Sequence, residues 1–130
     1  MNIKEMLPKS KTDYNSVIQL RMVNKDALRP IIPDLLIWLQ DINWPISSDI
    51  GEIVLQFNAE LIPYIQEILK TDDDIWKYYI LTEVVSKLSK EAKLGLIDEL
   101  NRLSKNPSEG EREERVDLKA IKIIESLDRD

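Results

Sequence analysis

The sequence of 130 residues predicts an all-α protein. Apolar residues recur three and four positions apart along most of the chain, which is the spacing of amphipathic helices. Proline or aspartate stands where several of these helices would begin, and the chain has only three glycines for tight turns between strands. Together these observations predict about seven helices, which pair into antiparallel hairpins and stack as a short α-solenoid.

The N-terminal part contains an arm and the first long predicted helix. Residues 1–12 are predicted to form the arm or a short helix, and the helix runs from about Asp13 to Met22. Asp13 is placed to cap it, because a carboxylate can accept hydrogen bonds from the free backbone N–H groups of a first turn. Residues 24–28 are expected to form a link or a short turn. The apolar stripe expected to face the core comprises Tyr14, Val17, Ile18 and Met22.

Four further helices follow in the middle of the chain. Pro30 lies in the first turn of a helix that reaches about Leu39, a position where the fixed φ of proline is tolerated. Pro45 opens the third helix, Pro63 lies in the first turn of the fourth, and Asp72–Asp74 precede the fifth. The apolar sets of these four helices are Ile32, Leu35, Leu36 and Leu39; Ile46, Ile50, Ile53, Val54 and Phe57; Leu61, Ile65, Ile68 and Leu69; and Trp76, Tyr79, Ile80, Val84 and Leu88.

The last two predicted helices lie within residues 90–127 and are separated by the breaker segment Asn106–Gly110. In the seventh helix Glu111 stands four residues before Arg115, a spacing at which opposite charges pair on a helix surface. The segment 109–117 alternates in sign. It is therefore predicted to form the solvent-exposed face of the last helix and its lead-in.

The chain also aligns with itself. Ile32–Leu35 aligns with Ile62–Ile65, and Trp44 aligns with Trp76 after a shift of two residues. Each unit thus contains a proline-led helix, an acidic turn, a tryptophan and a second helix, and neither hairpin can bury its apolar face alone. We predict one domain over residues 1–130, with repeat units at 30–58 and 60–88 and a third, degenerate hairpin at 90–127.

Three segments carry a resemblance to a known family: Leu36–Pro45, which includes the run Trp-Leu-Gln-Asp-Ile-Asn-Trp-Pro, Asp72–Tyr79 and Asn106–Glu111. They resemble a family of small bacterial proteins catalogued as a domain of unknown function. The similarity covers most of the chain, and the tryptophan-containing run is fairly specific. The resemblance implies HEAT-type helical repeats and a bacterial, cytosolic setting, and it supplies no established activity.

The composition argues against several classes of function. The chain has no histidine and no cysteine, so the commonest acid/base residue and the thiol nucleophile are both missing, and we expect neither an enzyme nor a bound cofactor or metal. The formal net charge of −6 disfavours nucleic-acid binding, which needs clustered cations. No apolar run approaches the ~20 residues of a membrane span, and no secretory signal is evident, so a cytoplasmic location is expected.

Five residues are candidates for binding a partner: Trp44, Trp76, Asp41, Asp72 and Asp73. The tryptophans stand at matched hairpin corners, where each either packs between the helices or forms an exposed aromatic surface for a partner. Asp41 either closes its turn through hydrogen bonds to the nearby backbone or contributes to a partner-binding surface. Asp72 and Asp73 either cap the fifth helix or contribute to such a surface. A catalytic carboxylate pair of Asp41 with Asp72 or Asp73 would require two hairpins stacked in register.

The function expected from these features is a protein–protein interaction module. One specific version is an immunity or antitoxin-like protein that masks a basic partner, because an acidic chain is complementary to one. A nucleic-acid-processing enzyme on a HEAT-like fold is the alternative, and it requires a concave face rich in Lys and Arg around a carboxylate. An architectural subunit of a larger complex is the third possibility, and it requires an apolar patch that is left exposed.

Overall fold

Helices are the only regular secondary structure in the computed structural model, which describes residues 2–128. The all-α prediction is therefore confirmed for this part of the chain. The α-helices are α1 (Tyr14–Met22), α2 (Lys25–Leu28), α3 (Ile32–Ile37), α4 (Ser47–Leu55), α5 (Ile62–Leu69), α6 (Asp74–Glu83), α7 (Lys90–Leu94), α8 (Ile97–Lys105), α9 (Glu109–Glu113) and α10 (Val116–Leu127). Short 3₁₀ helices occur at Ile3–Met6, Arg29–Ile31, Asn58–Leu61 and Val85–Lys87.

The chain divides into two compact units, Met1–Phe57 and Asn58–Asp130. The boundary falls between the two predicted repeat units, 30–58 and 60–88. Each unit has a hydrophobic core of its own, and the positions on which the hairpin prediction depends, Leu35, Ile65, Val54 and Val84, are all fully buried. The stacking of the hairpins as a solenoid stays a prediction.

In the first unit, α3 and α1 both pack on α4. The predicted apolar set of the third helix is buried almost completely and forms part of this core. Pro45 does not open the helix, because α4 begins two residues later at Ser47. The hydroxyl of Ser47 donates to the backbone carbonyls of Trp38 and Asp41, at 2.6 Å and 2.8 Å, and so closes the turn between α3 and α4.

The predicted face of α1 is right at Val17 and wrong at its other three positions. Tyr14, Ile18 and Met22 are 50%, 57% and 82% exposed, whereas Val17 and Leu20 are buried. A nine-residue helix on the surface buries one face, and here that face carries Val17 and Leu20. The guanidinium of Arg21 lies 3.0 Å from the carboxylates of both Asp49 and Glu52 on α4. The Tyr14, Ile18 and Met22 side chains, four residues apart, therefore form an exposed apolar stripe.

In the second unit, α10 packs on α8 and α6, and α5 packs on α6. Two of the seven predicted helices are each divided in two. The sixth is divided into α7 and α8 near Gly95, where a Cβ would lie 2.6 Å from Cδ1 of Ile62. The seventh is divided into α9 and α10 at Arg115, whose φ of 62° is left-handed and interrupts the helical hydrogen bonds.

The matched tryptophans occupy different places in their units. Trp44 lies in the turn three residues before α4, whereas Trp76 is the third residue of α6. Both side chains are half-buried. Leu35 and Ile65, at matched positions of the proline-led helices, are both buried, whereas the two tryptophans differ in place; the repeat stays a prediction.

Candidate functional site

A cluster of four charged side chains lies in the second unit, where α6, α8 and α9 meet. Nζ of Lys77 lies 2.9 Å from Asp74 and 3.0 Å from Oε2 of Glu111. Arg102 donates two parallel hydrogen bonds to the same carboxylate, at 3.0 Å to Oε1 and 2.7 Å to Oε2. The side chains of Lys77 and Glu111 are only 6% and 2% exposed, so this is a buried ion pair held by a second cation.

The segment Ser108–Glu111 places the buried carboxylate. Ser108 is the N-cap of α9, and its hydroxyl accepts from the backbone N–H of Glu111 at 3.1 Å. Oε1 of Glu111 accepts from the backbone N–H of Ser108 at 2.7 Å, which completes a capping box. This capping box directs the side chain of Glu111 toward the interior of the protein. The prediction that Glu111 pairs with Arg115 on an exposed face is therefore wrong, because α9 ends at Glu113 and Glu111 pairs with Arg102 and Lys77 instead.

The surroundings of the cluster favour the charged forms of its members. The hydrogen bonds from Arg102 hold the pKa of Glu111 far below its ordinary value, and those from Ser108 and Lys77 act in the same direction, against the effect of burial. Burial alone would lower the pKa of Lys77, but its hydrogen bonds to Asp74 and Glu111 raise that pKa above the ordinary value. The bond to Glu111 likewise raises the pKa of Arg102.

These directions limit what the cluster can do chemically. A general base or acid works best with a pKa near the working pH, whereas here Glu111 stays ionised and Lys77 stays protonated. Both oxygens of Glu111 already accept hydrogen bonds from protein groups. A cleft of about 350 Å³ adjoins the cluster and is lined in part by Lys70 and Thr71. The geometry favours a structural role for the cluster, which ties α6 and α8 to α9.

Gly110 lets α9 approach α6 closely. A Cβ at this position would overlap Oδ2 of Asp74, the end of a flexible side chain, so a larger residue would require that carboxylate to shift. The backbone of Gly110 is not left-handed, so glycine is favoured here for space and not for its conformation.

A second feature, which we call the acidic recess, lies at the beginning of α6. It has a volume of about 270 Å³ and is lined by Asp72, Asp73, Asp74, Ile75, Gly110, Glu113 and Glu114. Two of the five predicted partner-binding residues, Asp72 and Asp73, lie in it and are exposed. No group of three or more acidic side chains in residues 2–128 is arranged to hold a metal ion.

Asp73 also caps α6, as the sequence indicated for this acidic run. Its Oδ1 accepts from the backbone N–H of Trp76 at 3.0 Å. We expect Asp73→Ala to lower the free energy of unfolding by about 1 kcal/mol, because one N–H group of the first turn loses its partner. Urea unfolding followed by circular dichroism measures this change. Asp73→Asn is the matched control, since asparagine caps about as well as aspartate; an equal loss in both variants would contradict the capping role.

The other predicted site residues lie apart from this group. Asp41 and Trp44 belong to the first unit, where Oδ1 of Asp41 accepts from the backbone N–H of Asn43 at 2.9 Å and so closes the turn. The ring of Trp44 contacts that of Trp38 edge to face, with the ring centroids 5.5 Å apart. Trp76 is half-buried in the first turn of α6. The predicted residues are thus divided between the two units, with only Asp72 and Asp73 in the acidic recess.

Three residues of the buried cluster, Lys77, Arg102 and Glu111, were missed by reasoning from the sequence. One local signal was available, because Ser108 followed three residues later by glutamate is the pattern of a capping box. A second was the place of Lys77 on the same face of α6 as the buried Ile80 and Leu81. Neither signal names the partners across the fold.

None of the helices in residues 2–128 is both long enough and apolar enough to cross a membrane.

The sequence was compared with curated proteins and with the profiles of protein families. None of the curated proteins matches this chain significantly. The profile of one family, described as a domain of unknown function (DUF5071), matches residues 6–124 and thus nearly the whole chain. The chain therefore belongs to the DUF5071 family.

Proposed function

We propose that the protein is a non-enzymatic protein-interaction module that binds a cationic segment of a partner in the acidic recess. The observation that carries the proposal is the arrangement of the recess. Asp72, Asp73, Glu113 and Glu114 are exposed around it, and the 47% exposed side chain of Ile75 lies among them. The carboxylates of this surface can form ion pairs with a lysine or arginine of the partner. Ile75 can contact an apolar residue next to that cation in the partner's sequence.

Charge and apolar contact contribute differently to this binding. The net charge of −6 attracts a basic protein over distance and speeds its association. Single exposed ion pairs contribute only about 0–1 kcal/mol each, so the apolar contact at Ile75 must supply part of the affinity. The specific version that we propose is an immunity or antitoxin-like protein of the cytoplasm, which masks a basic surface of its partner. Hairpin stacking of the HEAT type would add a continuous groove.

The nucleic-acid-processing alternative finds less support. It requires a carboxylate among cations that is free to act on a substrate. One carboxylate that lies among cations is Glu111, and Lys77, Arg102 and the backbone of Ser108 already occupy its oxygens.

The exposed stripe of α1 favours a second candidate, an architectural subunit of a larger complex. Tyr14, Ile18 and Met22 leave an apolar face open on the first unit, which is the feature that this hypothesis requires. Replacement of Ile18 and Met22 by serine would abolish assembly with the complex under this hypothesis. The same change would leave binding at the acidic recess intact.

The recess is tested with a variant that removes three charges but keeps the cap of α6. We expect Asp72→Asn, Glu113→Gln and Glu114→Gln together to weaken binding of a short fluorescein-labelled lysine-rich peptide with one central leucine at least about tenfold. Fluorescence anisotropy at low ionic strength measures the affinity, and rising salt should weaken the wild-type interaction.

The matched control removes three exposed charges elsewhere in the second unit, with Glu67→Gln, Glu91→Gln and Asp98→Asn. This control has the same net charge as the recess variant, so it separates a specific site from general attraction to an acidic protein. Equal loss of affinity in both variants, or no loss in the recess variant, would reject the recess as the binding site.

A further inference from the structure

A groove whose charged lining residues are mainly cations, in contrast to the acidic recess, runs along α10. It has a volume of about 360 Å³, and its lining includes Tyr78, Arg115, Leu118, Lys119 and Lys122. Leu118 is 53% exposed, and Nζ of Lys119 lies 5.7 Å from the centre of the Tyr78 ring. We call this feature the α10 groove. It presents three cations beside an exposed leucine on a protein whose net charge is −6.

The cations of the α10 groove lack acidic partners of their own. None of Arg115, Lys119 and Lys122 forms an ion pair with a carboxylate in the described part of the chain. Several other cations of the protein do pair with carboxylates, namely Arg21, Arg29, Lys70, Lys77, Lys87 and Arg102. The lining of the groove also includes one carboxylate, Glu125, so the groove carries an excess of positive charge. It is therefore complementary to an acidic surface that carries an apolar side chain.

The acidic recess is such a surface, and it borders the groove. Ile75 of the recess and Tyr78 of the groove are three residues apart on α6 and so lie on one side of that helix. Glu114 of the recess is followed directly by Arg115 of the groove, at the left-handed turn between α9 and α10. One strip of surface thus carries negative charge around Ile75 and, next to it, positive charge around Leu118.

We propose that the α10 groove docks the acidic recess of a second copy of this chain. A two-fold axis across the strip would set the recess of each copy on the groove of the other, so that both halves are paired and the assembly closes as a dimer. Ile75 and Leu118 would supply the apolar contact, and the surrounding charges would fix the register. The inference does not rest on the proposed function, although a cationic partner would compete with the dimer for the recess.

The test is an exchange of charge between the two surfaces. One variant carries Lys119→Glu and Lys122→Glu, and the other carries Glu113→Lys and Glu114→Lys. In the homodimer of the first variant, acidic side chains would face each other at both contacts. In the homodimer of the second variant, the introduced lysines would offset Asp72 and Asp73 and repel the cations of the groove. We expect wild-type protein to show a concentration-dependent dimer in sedimentation equilibrium at low salt, and each variant to weaken it at least about tenfold.

Mixing the two variants should restore a dimer, because the introduced glutamates then face the introduced lysines at one contact and the unchanged recess faces the unchanged groove at the other. Circular dichroism verifies that both variants are folded. Lys90→Glu with Lys105→Glu makes the same charge change as Lys119→Glu with Lys122→Glu at exposed positions elsewhere, and it should dimerise as the wild type does. Three results would overturn the proposal: a wild type that stays monomeric at about 1 mM, a dimer that both reversals leave unchanged, or variants that fail to pair with each other. Anisotropy with the lysine-rich peptide reports separately on the proposed function.

Discussion

Glu111→Gln is expected to lower the free energy of unfolding by about 3 kcal/mol. The substitution keeps the shape of the side chain but removes the charge that compensates Lys77, which is 6% exposed. Breaking a buried ion pair from one side costs about 3–5 kcal/mol, because the remaining charge is left without its partner. The remaining contact of Lys77 with Asp74 and the partial exposure of Arg102 place the expected loss at the lower end of that range.

Urea unfolding of the wild type and the variant at neutral pH measures the loss. Glu113→Gln is the matched control, since Glu113 lies on the same helix, is exposed and has no ion pair in the described part of the chain. It should change the free energy of unfolding by no more than about 0.5 kcal/mol. A loss below about 1 kcal/mol for Glu111→Gln would show that the cluster contributes little to the fold.

The difference in the free energy of unfolding between wild type and Glu111→Gln is expected to depend on pH. The pKa of Glu111 is depressed in the folded state, so its contribution is complete above the unfolded value of about 4.3 and is lost as the pH falls toward the folded value. The pKa of Lys77 is raised, so its contribution is present below about pH 10 and is lost as the pH rises through the folded value. The difference in the free energy of unfolding between wild type and Glu111→Gln should thus be constant near neutral pH and become smaller below about pH 5.

The helices could be predicted from the sequence because their signals are local. Apolar spacing, proline in the first turn and aspartate caps all act within a few residues, and they placed α1, α5 and the beginning of α6 within one or two residues. The burial of Leu35 and Ile65 followed from the same spacing. Local signals of this kind do not decide which helices pack together.

The errors arose where the fold chooses between two local possibilities. α1 has apolar residues on both faces, and the tertiary packing decides that Val17 and Leu20 are buried while Ile18 faces solvent. Glu111 has a cation four residues later, but its partner Lys77 lies 34 residues away in the chain. Arg115 could not pair with it because its left-handed backbone ends the helix between them. Long-range ion pairs require the tertiary arrangement, and the candidate site depends on them.

Leu100→Ala is expected to lower the free energy of unfolding by about 3 kcal/mol, the other large effect. Leu100 is fully buried on α8, the helix that packs on α10. Truncation of such a leucine removes buried methyl groups and leaves a cavity, at a total cost of about 2–5 kcal/mol. Thermal and urea unfolding of the protein, followed by circular dichroism, measures the loss.

Leu118→Ala on the adjacent α10 is the matched control, because the same atoms are removed from a side chain that is 53% exposed. Its effect on unfolding should stay within about 0.5 kcal/mol, since no cavity forms. The two leucines are therefore expected to separate stability from association, with Leu118→Ala weakening only the proposed dimer. If Leu118→Ala destabilised the protein as much as Leu100→Ala, the side chain of Leu118 would belong to the core, and the α10 groove would lose its apolar contact with a second copy.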